Sequence, residues 1–222
     1  MRNTSIKNGI IFGSTGVLGS QISIELSKSD VNLILHGKSL KKLTSLHDKI
    51  KKFNNNITLL QADVTSKEFS TNLLKTIYSR FQKIDFIINV IGLFYGLRPL
   101  TNISHKEWND LIEINLSSNW RIIKELEPLI KKSNNSKIIF LSNKKISDGK
   151  AYYNTFSIFE NAKRAMLRTL NEENLKLNIK TCLIEIEKIN LGMSSTLAGR
   201  EQFNQDLLSK ISKKVFKKVY NL

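Results

Sequence analysis

A few short stretches of this chain carry residue types that could do chemistry. The run "FGSTGVLG" spaces Gly13, Gly16 and Gly19 as G-x-x-G-x-x-G, directly after the apolar strand-like "NGIIFG". A glycine turn between a strand and a helix lets the backbone approach a pyrophosphate. The free N–H groups and partial positive charge of the helix N-terminus then hold it. Gly13, Ser14, Thr15, Gly16, Val17, Leu18 and Gly19 are therefore the candidate phosphate-binding residues of a dinucleotide site. A second stretch, "IFENAKRAM", sets Phe159 and Lys163 one turn apart on one face of a predicted helix. Lysine carries a charge that can hold or tune a neighbour, whereas phenylalanine has no proton to give. At the end of a second strand, "ILHGKS" places Gly37, Lys38 and Ser39. An acidic residue at such a point binds ribose hydroxyls, and a basic one accommodates a 2′-phosphate.

The elements that must position these residues alternate regularly. "NGIIFG" is strand one, followed by a helix around Gln21–Ser27, and "VNLILHG" is strand two, followed by a helix over Leu40–Phe53. "ITLLQAD" is strand three, with a helix from about Ser66 to Phe81, and "IDFIINVIG" is strand four. Ser104-x-x-Glu107 is a capping box opening a long helix to about Lys131. "SKIIFLS" is strand five, Phe156–Leu175 a helix, and "IKTCLIEIEKI" strand six. Continuous apolar strands between amphipathic helices predict an α/β fold, a doubly wound parallel sheet in three α/β/α layers. The expected division is one domain over residues 1–193. A basic amphipathic helical segment, 194–222, follows and packs on it with Leu207, Leu208, Ile211, Val215, Phe216 and Val219 on one side.

Composition narrows the function classes. The chain has 222 residues and a single cysteine, Cys182, which rules out an internal disulfide. His36, His47 and His105 have no ligand spacing, so no metal site is expected. No apolar stretch is long enough to span a bilayer, and "MRNTSIKNGIIFGSTG" has no signal-peptide core, so a cytoplasmic protein is expected. Net charge is +16, yet the lysines are scattered among asparagines and isoleucines, as A/T-rich codon usage would leave them. Nucleic acid or a membrane surface is therefore the weakest partner reading.

From Asn8 to Met193 the chain resembles the short-chain dehydrogenase/reductase family, a Rossmann-type fold. Besides the glycine turn, "ADVTS" supplies Asp63 and Val64 at the family's adenine contact. "NVIG" keeps Asn89 and Gly92 of its N-N-A-G signature, "WNDLIEINLSS" places Asn115 at its structural and catalytic asparagine, and "FENAKRAM" aligns with its Y-x-x-x-K. The resemblance implies a nicotinamide dinucleotide cofactor and a small carbonyl or alcohol substrate. By likeness to members with Gly-Arg after strand two, Lys38 implies NADP(H), with NAD as the alternative. It implies Lys163 as the lysine that holds the nicotinamide ribose and Asn115 as the anchor of a proton-relay water. Ser142 stands near the orienting serine, although the commoner register puts Asn143 there. A homodimer through the two long helices is also implied.

The departures bear on activity. In this alignment Phe159 stands where the family has its proton-donating tyrosine. Tyr153 and Tyr95 are the nearby substitutes, although Tyr152 and Tyr153 precede Lys163 by roughly 15 Å of helix rise. Ile186-Glu187 replaces the family's Pro-Gly, with Glu187 expected in a salt bridge with Lys163 or Lys188, and the family's last strand is expected to be missing. The chain therefore reads as an oxidoreductase of altered catalysis, or as a non-catalytic cofactor-sensing or partner-binding module.

Overall fold

The computed structural model describes residues 6–54, 56–186 and 205–221. Glu187, Lys188 and the boundary at 193/194 lie outside them. Six strands, β1 (Lys7–Phe12), β2 (Val31–Gly37), β3 (Ile57–Gln61), β4 (Phe86–Asn89), β5 (Ser136–Ser142) and β6 (Ile179–Glu185), form one sheet in the order β3-β2-β1-β4-β5-β6. Every pairing is parallel. The order reverses between β1 and β4, where ligands bind in sheets of this kind.

The helices are α1 (Val17–Ser27), α2 (Leu40–Ile50), α3 (Lys67–Tyr78), α4 (His105–Ile112), α5 (Ser118–Ile130), α6 (Lys144–Ser147), α7 (Asn154–Glu173) and α8 (Gln205–Tyr220). Serines start three of them. Ser39 and Ser66 accept hydrogen bonds from the backbone of Lys42 and Phe69, and Ser104 with Glu107 forms the reciprocal capping box. Alternate residues of each strand face opposite sides, so the sheet builds two cores. Ile11, Leu33 and Leu35 pack under α1, α2 and α8, while Ile10, Phe12 and Ile87 pack under α3, α5 and α7.

Two features depart from the expected elements. The long helix from Ser104 is not continuous α: a π-helical stretch, Glu113–Ser117, separates α4 from α5. The wide turn follows from Asn115, whose amide clamps the backbone of Leu93, accepting from its N–H at 2.8 Å and donating to its C=O at 2.9 Å. Such widened turns recur at functional sites. The second is a lysine inside the sheet. Lys137 of β5 is 4% exposed, and its ammonium donates to the carbonyls of Lys218 and Val219 and to Asn221 Oδ1. It thereby meets the negative end of the α8 dipole. Burial pushes its proton affinity below the ordinary lysine range.

Candidate functional site

At the C-terminal ends of β1 and β4 two cavities adjoin, sharing Leu18, Val90, Ile91 and Gly92 in their walls. The larger, of about 380 Å³, opens over the glycine turn. Gly13 has φ +79°, and a side chain on Gly19 would lie 2.2 Å from the Gly13 carbonyl oxygen, so the turn closes only with glycine at both places. Gly16 caps α1 without a side chain, which brings the first helical turn forward to Val17. Thr15, Gly16, Val17, Leu18, Gly19, Lys38, Val64 and Gly92 all line this cavity. Ser14 does not. It is fully buried and donates its hydroxyl to the His36 carbonyl at 2.9 Å, tying the turn to β2.

Lys38 reaches Asp63 at 3.0 Å across the rim. Burial pushes the Asp63 carboxyl up, but hydrogen bonds from Thr65 and Lys38 outweigh it and hold the group below the usual carboxylate range. Asp63 is therefore engaged with Thr65 and Lys38. A second cation, Lys42, lines the same cavity from the first turn of α2. Its signal in the sequence was the Ser39 cap, which fixes where that turn begins.

The smaller cavity, of about 60 Å³, holds the other half of the site. Asn89, Asn115, Ser142 and Lys163 all line it. An asparagine chain that the sequence had not revealed ties the first two: Asn89 donates to Asn119 Oδ1, and Asn119 donates to the Asn115 carbonyl at 2.5 Å. Asn119 follows Asn115 by four residues, which was its signal.

The helical face presented by α7 differs from expectation. Phe156, Glu160 and Lys163 form one stripe and line the cavity, while Phe159 is absent from its walls. At about 100° per residue, Phe159 is turned some 60° from Phe156. Its ring is buried against Trp108 of α4, with centroids 6.1 Å apart. Phe156 packs edge-on against Phe94, which stacks on Tyr153. Tyr95 donates its hydroxyl to Asp110 at 3.0 Å, and burial together with that bond pushes its phenol above the usual range. Tyr152 is exposed. Among the described residues no tyrosine lines this cavity.

Glu160 is the functional candidate that sequence reasoning missed. It is 5% exposed. Its Oε2 accepts from the Ser142 hydroxyl at 2.6 Å and from the Asn143 N–H at 3.1 Å, and its Oε1 pairs with the Lys163 ammonium. Lys163 also donates to the Leu141 carbonyl at 2.8 Å. A serine, a carboxylate and a lysine thus form one connected polar group in the wall of the smaller cavity.

The family model for short chain dehydrogenases matches residues 7–207. The chain belongs to the short-chain dehydrogenase family. An uncharacterised oxidoreductase of Staphylococcus epidermidis is 21% identical over 196 residues, covering 88% of this chain and 81% of the relative. A short chain dehydrogenase of Shigella flexneri complexed with NADP superposes with a TM-score of 0.87 at 18% identity, over 96% of this chain and 90% of that one. The counterpart from Escherichia coli CFT073, complexed with NADPH, gives 0.87 at 17% identity with the same coverage. These structural likenesses establish a common fold. No helix among the described residues is long and apolar enough to cross a membrane.

Proposed function

We propose that this protein is an NADP(H)-dependent oxidoreductase of the short-chain type, acting on a small carbonyl or alcohol with an altered proton-transfer group. The observation that carries the reading is the pair Lys38 and Lys42 on the rim of a cavity floored by the Gly13–Gly19 turn. Two ammonium groups beside the end of β2 suit a 2′-phosphate, and the α1 N-terminus suits a pyrophosphate. The solved structures with NADP and NADPH lend support by fold. The nicotinamide supplies hydride exchange when bound. Asn115, Ser142 and Lys163 would face the nicotinamide end, Val64, Asn89 and Gly92 would line the path of the cofactor, and Asp63 would bear on it through its ion pair with Lys38. On this reading the family's Tyr-x-x-x-Lys turn corresponds to Phe156-x-x-x-Glu160, not Phe159-x-x-x-Lys163, because the former pair faces Asn115 and Ser142.

Calorimetric titration tests the cofactor. NADPH is expected to bind in the micromolar range and more tightly than NADH. Lys38→Ala and Lys42→Ala are each expected to weaken NADPH by about tenfold, roughly 1.4 kcal/mol, while leaving NADH affinity unchanged. Equal binding of the two cofactors would overturn the NADP assignment, and no binding of either would reduce the glycine turn to architecture.

The second reading, a non-catalytic module that binds cofactor or partner, draws on the apolar Phe156 at the cavity and the absence of a lining tyrosine among the described residues. It predicts cofactor binding without turnover, or no cofactor binding and dependence on a partner. A homodimer through α5 and α7 belongs with either reading. Trp120, 53% exposed on α5, gives that face an apolar anchor, and light scattering in solution decides it.

A further inference from the structure

We propose that Ser142 and Glu160 form a proton relay that replaces the tyrosine, and that it sets the site for alcohol oxidation. The inference rests on the oxidoreductase reading above.

Three observations carry it. Glu160 is a buried carboxylate that lines the cavity and touches both Ser142 and Lys163, while the apolar packing of α7 is made by other residues, Phe156, Phe159 and Leu167. Its Oε2 accepts from the Ser142 hydroxyl with the two oxygens 2.6 Å apart, so the serine oxygen keeps its lone pairs for a second partner. Among the described residues that line the cavity, Glu160 and Lys163 are the charged ones. The remaining walls around Glu160 are neutral: Leu141, Ser142 and Asn143 from the end of β5, Asn115 from the π-helical stretch, Phe156 from α7 and Ile186 after β6.

The hydrogen-bond polarity gives the direction. An alcohol O–H donates to Ser142 Oγ while Ser142 Oγ–H donates to Glu160 Oε2. As the carbon–hydrogen bond breaks and hydride passes to the oxidised nicotinamide dinucleotide, the alcohol proton moves to Ser142 and the serine proton to Glu160. The alcohol becomes a carbonyl, the dinucleotide is reduced by two electrons, and one proton rests on the Glu160 carboxyl until solvent takes it. Lys163, paired with Oε1 and with the Leu141 carbonyl, fixes the carboxylate plane so that Oε2 faces the serine.

The test uses the full chain with NADP⁺ and three probes, propan-2-ol, cyclohexanol and 1-phenylethanol. The wild type should reduce NADP⁺ with at least one of them, with a rate that falls at low pH. Glu160→Gln keeps the size of the side chain but takes no proton. It should lower kcat by about 10²-fold or more and abolish the acid limb of the pH–rate profile. Glu160→Asp should retain that limb at reduced rate. Ser142→Ala should lose as much as Glu160→Gln, and the double variant no more than either, as for residues acting as a unit. An independent readout needs no turnover. The infrared carboxylate band of Glu160, assigned by its loss in Glu160→Gln, should shift in Ser142→Ala.

A Glu160→Gln rate within threefold of wild type, an unchanged pH profile, an unmoved carboxylate band, or no oxidation by a protein that binds NADP⁺ would each overturn the relay. The calorimetry separates the two readings: absence of NADP⁺ binding removes the cofactor assignment and the relay with it, whereas binding without the relay's signatures removes the relay alone.

Discussion

His36 shows how one side chain couples the site to stability. It is 2% exposed, its ring packed between those of Phe12 and Phe69 at the edge of the nucleotide cavity. Burial, aided by the Lys38 charge and opposed by Asp63 and the Ala62 backbone, lowers its pKa from 6.5 to about 4. The folded protein thus holds the imidazole neutral where the unfolded chain would protonate it. That contribution is fully present above pH 6.5 and is lost as the pH falls toward 4, an overall change of about 3 kcal/mol. Urea melts at pH 7.5 and 5.0 should show wild type losing about 2 kcal/mol more than His36→Leu over that interval. Equal losses would mean that His36 titrates normally. At the same scale, the choice between Phe159 and Phe156 was not legible in the sequence. Both begin an i, i+4 turn, one ending in Lys163 and the other in Glu160. Lys163 and Glu160 both line the cavity, and it is the seating of Phe159 against Trp108 that leaves Phe156 as the ring facing it.

Among elements, the strands were plain because β1, β2, β4 and β5 each contain a short apolar run, over residues 10–12, 33–35, 86–88 and 138–141, and Ser39, Ser66 and Ser104 mark helix starts by local chemistry. The π-helical stretch was hidden because it depends on contact between Asn115 and Leu93, which are distant in sequence. The same holds for Lys137. As sequence it is one more lysine in a basic chain, and its role appears only when α8 lies across β5. Lys137→Ala should therefore loosen α8 selectively. Removing a buried ammonium that several acceptors share is expected to cost about 1.5–3 kcal/mol. Hydrogen exchange should accelerate over residues 211–220 before it does in β1 or β4. Uniform acceleration throughout the sheet would show that α8 is not the element Lys137 secures.

For the molecule as a whole, the net charge of +16 is compatible with any fold, and the sequence left open whether it serves a partner. The structure gives part of that charge a local use, since Lys38 and Lys42 flank the proposed phosphate site. An anionic dinucleotide approaching so positive a surface is steered by the long-range field as well as by the two rim lysines. The NADPH association rate should then fall several-fold as salt rises from about 50 to 500 mM, over which the screening length shortens from roughly 14 to 4 Å. A salt-independent rate would confine the electrostatics to direct contacts.

The seat of α8 on Lys137 also has a consequence in time. During synthesis β5 leaves the ribosome long before residues 205–221 do, and at about 5–20 residues per second the interval lasts several seconds. Through that interval the sheet can assemble, but the apolar strip awaiting Leu208, Ile211, Val215 and Val219 stays uncovered beside a lone ammonium. The nascent chain therefore carries a sticky, positively marked face until its C-terminal helix arrives, and completion of the core is a late event set by translation rather than by the speed of folding.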